Sequence, residues 1–213
     1  MKKFYNDYLN NELKIDKLII IGIISLIIVI TGMFGFLYEF IFYYFNSGMK
    51  TFYYRGANFL PWINIYATGS IMIYVLTRKL KRKPVLVFLI SFFSTGILEY
   101  ISGYMMYKLM NGIRCWDYNT EILNFGNIGG FVCLRSVLFF AISGLLLVYI
   151  IIPSVIYISK KVSKKKFLII SISLCSIFLI DEFYNLLFAN LLNLPRARVI
   201  YTSLGIKYMN YYK

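Results

Sequence analysis

The side chains with most chemistry to offer are four acids and three arginines: Glu39, Glu99, Asp117 and Asp181, with Arg55, Arg114 and Arg135. Tyr100 and Trp116 complete them as a candidate substrate-binding set. Glu99 is the most telling member. It sits in Gly96-Ile97-Leu98-Glu99-Tyr100-Ile101-Ser102-Gly103, inside an otherwise apolar run from Pro84 to Met110. A carboxylate in the middle of such a run is costly unless it is paired, protonated or open to water. It could attract a cation, a proton or a cationic headgroup, or serve as an acid or base. The arginines could hold phosphate. Gly96, Glu99 and Gly103 fall at i, i+3 and i+7 and so share a helical face, where the glycines would admit another helix closely.

Such a face needs long helices to carry it, and the composition provides them. The 213 residues are 60% hydrophobic, 19% aromatic and 15% charged, with mean hydropathy +0.69. The apolar runs are continuous rather than alternating, which excludes a membrane barrel and predicts an all-α polytopic bundle. We expect an interfacial N-terminal segment at 1–16, about five spans within 17–194, and a tail at 195–213. In the first segment Phe4, Tyr5, Tyr8, Leu9 and Leu13 line one side. The spans fall at about 18–45, 59–77, 84–110, 130–159 and 167–194, the second beginning with Pro61 in its first helical turn. Gly32, Gly35 and Glu39 repeat the glycine–acid pattern on the first span.

The formal charge of +14 gathers at segment ends, chiefly in the loops 78–83 and 160–166. That distribution suits anionic lipid headgroups and argues against a nucleic-acid partner. The positive-inside rule makes both loops cytoplasmic, with the N-terminus inside and the loops 46–58 and 111–129 outside. The C-terminus then falls outside too, although Arg196, Arg198, Lys207 and Lys213 weigh against that. At ~1.5 Å per residue, Glu39 lies ~31 Å, Glu99 ~22 Å and Asp181 ~21 Å from the cytoplasmic ends of their runs. Arg135 lies ~8 Å from the outer end of its own run on the same rise. These groups thus form a polar layer in the outer half of the membrane. Its sources of stability point to Arg135 pairing with Glu99 or Asp181, and of the adjacent Asp181 and Glu182 only one should face the bundle. Glu39 precedes Arg55 by 16 residues and Glu99 precedes Arg114 by 15, so spans one–two and three–four read as a parallel duplication.

There is no histidine. Cys115, Cys133 and Cys175 lack metal-ligand spacing, so no metal site and no cofactor is expected. Cys115 and Cys133 fall near one membrane face, which leaves a disulfide open. No Gly-x-x-x-x-Gly-Lys-[Ser/Thr] occurs, so this chain does not couple energy through nucleotide by that motif.

Six segments occur in an order that carries a resemblance: Gly35-Phe36-Leu37-Tyr38-Glu39, Tyr54-Arg55-Gly56, Leu60-Pro61-Trp62-Ile63-Asn64-Ile65-Tyr66-Ala67-Thr68-Gly69, Leu98-Glu99-Tyr100-Ile101-Ser102-Gly103, Arg114-Cys115-Trp116-Asp117-Tyr118-Asn119 and Val132-Cys133-Leu134-Arg135-Ser136. Over roughly Gly35 to Pro153 the chain resembles the bacterial ABC-transporter type IV permease family. It departs from the family pattern at Tyr54, Asn64 and Ala67. The resemblance implies a permease-like membrane subunit of the bacterial plasma membrane, working with a separate ATPase. A second copy of the chain is a further candidate partner. Two other functions fit the residues: a non-catalytic membrane protein that binds a partner or senses lipid, and an enzyme acting on a lipid or isoprenoid.

Overall fold

The computed structural model describes residues 2–109 and 111–208; Met110, and the tail beyond Tyr208 with Lys213, lie outside the described residues. The fold is all-helical, and no strand forms among the described residues. Helix α1 is Lys2–Leu9, α2 Lys17–Asn46, α3 Asn64–Thr77 and α4 Pro84–Leu109. Helix α5 is Leu134–Lys161, α6 Lys164–Leu191 and α7 Ala197–Ser203. Helices α2, α4, α5 and α6, of 30, 26, 28 and 28 residues, are long and apolar enough to cross a membrane. Each exceeds the ~20 residues a span requires.

The second expected span takes a different form. Helix α3 has 14 residues, or ~21 Å, short of a ~30 Å hydrocarbon core. Residues 59–63 precede it as irregular chain, so Pro61 stands ahead of the helix rather than in its first turn. The reason is where the backbone donors go. Phe59 and Leu60 give their N–H groups to the Asp181 carboxylate at 2.9 and 2.8 Å. Ile63 gives its own to the Gly32 carbonyl at 3.1 Å. Irregular backbone is tolerated beside hydrocarbon when protein groups satisfy it in this way.

The chain folds as two compact units. One comprises residues 2–15 and 69–154, the other 16–68 and 155–208.

In the first unit α4 and α5 run antiparallel. Gly103 faces Trp116 and Phe131, Gly96 faces Val137, and Ser91 sits against Gly144. The buried face of α4 is Val87, Ser91, Thr95, Glu99 and Gly103, a four-residue spacing that keeps one stripe inward. A Cβ on Gly96 would come within 2.8 Å of Val137, so the glycine sets how closely the helices approach.

At the opposite end of this unit α5 contains a π turn, Leu147–Ile151. Ile152 donates to Leu147 five residues back. Pro153 follows and has no N–H, so neither the Val148 nor the Tyr149 carbonyl can receive a bond from it. Helix α1 replaces that donor. The Tyr8 hydroxyl bonds Val148 O at 2.7 Å and the Tyr5 hydroxyl bonds Tyr149 O at 3.3 Å. Tyr8 is buried, with 1% of its surface exposed. The Lys81 ammonium lies 3.9 Å over the Tyr8 ring and donates to Tyr8 O at 3.1 Å, while the Tyr149 hydroxyl donates to Lys81 O at 2.8 Å. Burial lowers the Lys81 pKa to about 8 and pushes the Tyr8 phenol well up.

In the second unit α2 and α6 run parallel. Gly22 packs on Phe167 and Ser171, and Gly32 on Phe178. Their N-termini meet where Lys164 bonds Asp16 at 3.1 Å; that ammonium and then the Leu18 N–H hold the Asp16 carboxyl below its usual value. The core is Val29, Trp62, Ala67, Cys175 and Phe178. The tail returns to residues 54–60: Tyr54 N–H bonds Lys207 O at 2.8 Å, and the Tyr201 hydroxyl bonds Phe59 O at 2.8 Å. The expected duplication paired each acid-bearing helix with the next span. Here α4 does pack on its successor α5, whereas α2 packs on α6, four helices later in the chain and running the same way.

Candidate polar sites of the two units

In the first unit the site is assembled from the middle of α4, the first turn of α5 and the loop between them. Glu99 is 3% exposed. The Tyr118 hydroxyl bonds its Oε1, and the Ser136 hydroxyl lies 2.7 Å from its Oε2. The same Ser136 Oγ is 2.8 Å from Cys133 O and accepts from Cys133 N–H at 3.2 Å. A hydroxyl has one proton, so Ser136 serves either the carboxylate or the carbonyl at a given moment. This matters chemically. A hydroxyl can donate to a carboxylate or accept from a carboxylic acid, so the pocket accommodates both protonation states.

The ion pair that Arg135 forms is with Glu121, where pairing with Glu99 or Asp181 was expected. Its Nη2 bonds Glu121 Oε2 at 2.5 Å. On a helix, consecutive side chains diverge by about 100°, and it is Ser136 that faces α4 while Arg135 turns to the loop. Arg114 bonds Gly129 O at 2.5 Å, lies 3.8 Å from Asp117, and spreads over Phe131 at 4.4 Å. Gly130, at φ +80°, brings its backbone so near Asp117, Arg114 and Asn119 that a Cβ would collide with all three. Trp116 bonds Phe131 O at 2.9 Å through its indole N–H. Tyr100 is 38% exposed and stacks on Tyr104, away from the carboxylate of its neighbour. The three cysteines are free.

The second unit holds its acids differently. Glu39 receives the Arg55 Nε at 2.8 Å and the Tyr66 hydroxyl at 3.1 Å, and the Arg55 guanidinium lies 3.9 Å over the Tyr43 ring. Gly35 makes room for Tyr66, whose ring would lie 2.2 Å from a Cβ there. Asp181 accepts the Phe59 and Leu60 N–H groups and the Asn185 amide at 2.9 Å. Asn185 in turn accepts the Ala197 N–H at 2.8 Å. Asp181 and Glu182 both face the 58–60 segment, since Asn58 donates to Glu182 at 2.6 Å. One acid was expected to turn away; the segment wraps far enough around α6 to meet both.

Of the nine sequence candidates, Glu99, Arg114, Trp116, Asp117 and Arg135 thus come together in the first unit, and Glu39, Arg55 and Asp181 belong to the second. Tyr118, Glu121 and Ser136 were missed, as were Tyr66, Asn58 and Asn185. Ser136 and Tyr118 each adjoin a chosen residue. Reading one position further at each would have found them.

A family model described as "Putative ABC-transporter type IV" matches residues 26–186, well over half of the chain. Comparison with curated proteins and with solved structures gives no match.

Proposed function

The chain belongs to the ABC-transporter type IV family, and on that premise we propose that it is the permease-like, membrane-embedded subunit of a transporter. Glu99 is its cargo-engaging acid. The charged loops 78–83 and 160–166 face the cytoplasm on this reading, so the N-terminus is inside and the Glu99 site opens outward. Tyr118, Ser136, Arg114, Trp116, Asp117, Arg135 and Glu121 frame that site in the first unit. Glu39, Arg55 and Asp181 are the polar groups of the second. A separate ATPase in the plasma membrane supplies the energy, since the chain has no phosphate-binding Gly-Lys loop.

One observation carries the proposal: a carboxylate 3% exposed in the middle of a membrane-length helix, with rotatable hydroxyls on both oxygens. Ionisable groups at such depth usually mark substrate or ion paths. The cargo it suits is a proton or a cationic group. At ~4 Å and an effective dielectric near 20, a unit charge attracts a cation by about 4 kcal/mol, roughly a thousandfold in affinity.

The test is complementation of a deletion strain, with membrane abundance measured in parallel. Glu99→Gln should reach the membrane at wild-type level and fail to complement, and Glu99→Asp should complement in part. Full complementation by a well-expressed Glu99→Gln protein would return Glu99 to a structural role.

A further inference from the structure

The loop between α4 and α5 has an outer surface that its role around Glu99 does not explain. Ile122, Leu123, Phe125 and Ile128 are 52, 54, 65 and 59% exposed, four large apolar side chains within seven residues. Leu123 stands at φ +55°, a conformation that bulky residues rarely adopt.

Several polar side chains of the same loop bond back to the loop itself. Asn124 bonds Tyr118 O at 2.9 Å, Asn127 bonds Asn119 at 2.7 Å and accepts the Gly130 N–H at 2.8 Å. Ile128 N–H bonds Val132 O and Leu134 N–H bonds Phe125 O. Glu121 is buried under Arg135. Large apolar side chains turned outward, over a loop whose polar side chains bond back to it, suit the headgroup–acyl boundary better than open water.

The position agrees. Phe131, in the same loop, makes edge contacts with Tyr100, Tyr104 and Tyr107 of α4. Lys108 lies over Tyr104, and Arg114 over Tyr107 and Phe131. Tyrosine and tryptophan rings beside basic residues mark the headgroup level of a span. Through Leu134, which Phe125 and Gly126 touch, the exposed loop surface continues into the lipid-facing side of α5 at Leu138 and Ile142.

We propose that residues 122–128 form a membrane wedge, with Ile122, Leu123, Phe125 and Ile128 seated at the headgroup–acyl boundary of the leaflet around the Glu99 end of the unit. The occupant of this surface is lipid. The wedge clamps the loop that carries Tyr118 and Glu121, so the acid site is approached beside the bilayer interface rather than across a hydrated loop.

The test uses the unmodified protein in vesicles of phosphatidylethanolamine and phosphatidylglycerol containing a phospholipid with a photoactivatable group near its carbonyl. Peptide mapping should place adducts on 122–128 at a yield comparable with the flank of α5 around Ile142. Yield at the level of the 78–83 loop would overturn the wedge. A spin label at Phe125→Cys gives a second reading in a protein whose native cysteines are replaced. Oxygen should collide with it several-fold more effectively than a water-soluble nickel chelate. Preference for the chelate would put the loop in water, and exclusion of both reagents would mean that protein, not lipid, covers it.

Discussion

The two units bury acids of the same kind and hold them by opposite chemistry. In the second, Asp181 is met by two backbone N–H groups and an amide, and Glu39 by a guanidinium. Apart from the Tyr66 hydroxyl on Glu39, these groups only donate, so they fit a carboxylate that only accepts, and they are fixed by the backbone or by an arginine stacked on Tyr43. In the first, Glu99 is met by two hydroxyls that donate or accept by rotation. The first kind of site fastens chain together; the second can change state without breaking anything. Burial alone therefore does not identify a working acid, since Asp181 at 6% and Glu99 at 3% are equally hidden.

The sharpest way to break this contrast is at Asp181. Asp181→Ala leaves the Phe59 and Leu60 N–H groups without their acceptor and Asn185 with only the Asp181 carbonyl, and each unsatisfied buried donor costs about 1–3 kcal/mol. We expect the protein to be lost from the membrane or to unfold well below wild type on heating in detergent. A stable Asp181→Ala protein would show that the 58–63 segment does not depend on this acid.

Next comes the Glu39–Arg55 pair. Removing one partner of a largely buried ion pair costs about 3–5 kcal/mol, whereas replacing both with apolar groups is often neutral. Arg55→Met should therefore destabilise strongly and Glu39→Gln/Arg55→Met much less. If the double variant were as unstable as the single one, the pair would be more than a fastening.

At Glu99 the expected structural effect is smaller and the functional one larger. Tyr118→Phe or Ser136→Ala removes one hydroxyl each, about 0.5–1.5 kcal/mol of stability. The complementation that fails in Glu99→Gln should survive, but with a shifted pH dependence. An unchanged pH profile in both would count against a proton-handling role.

How much of this could be read from the chain alone differs by level. The long helices and the place of Glu99 midway along one of them followed from hydropathy and spacing, whereas the Glu39–Arg55 pair did not, since their spacing reads only as part of a repeat. Arg135 did not, because a one-residue step round the helix exchanges it with Ser136, and depth arithmetic carries no azimuth. The irregular stretch at 59–63 was also hidden. Pro61 suits a first helical turn as well as it suits a break, and what decides is Asp181, some 120 residues later in the chain. The α2–α6 pairing was out of reach for the same reason.

A further prediction concerns Lys81. Its folded pKa of about 8 lies below the 10.5 of the free side chain. Between these values the unfolded chain binds more protons than the folded one, so stability should rise with pH from about 8 to 10.5 and be flat below. Lys81→Met should remove that rise. Thermal unfolding at pH 7, 9 and 10.5 measures it, and a wild-type curve parallel to the variant's would remove the buried lysine from the account.

The tyrosines that stand in for the missing amide of Pro153 also set a timetable. Tyr5 and Tyr8 are made before Val148 and Tyr149, which follow about 140 residues afterwards. At roughly 5–20 residues per second, α1 must wait about 7–28 s for its docking place. Until then its apolar side lacks this packing, and the Val148 and Tyr149 carbonyls, once made, lack these two hydroxyl donors until α1 arrives. Docking of α1 is thus completed by residues made long before their partners, and a bulky group attached to α1 would obstruct a late step of assembly rather than an early one.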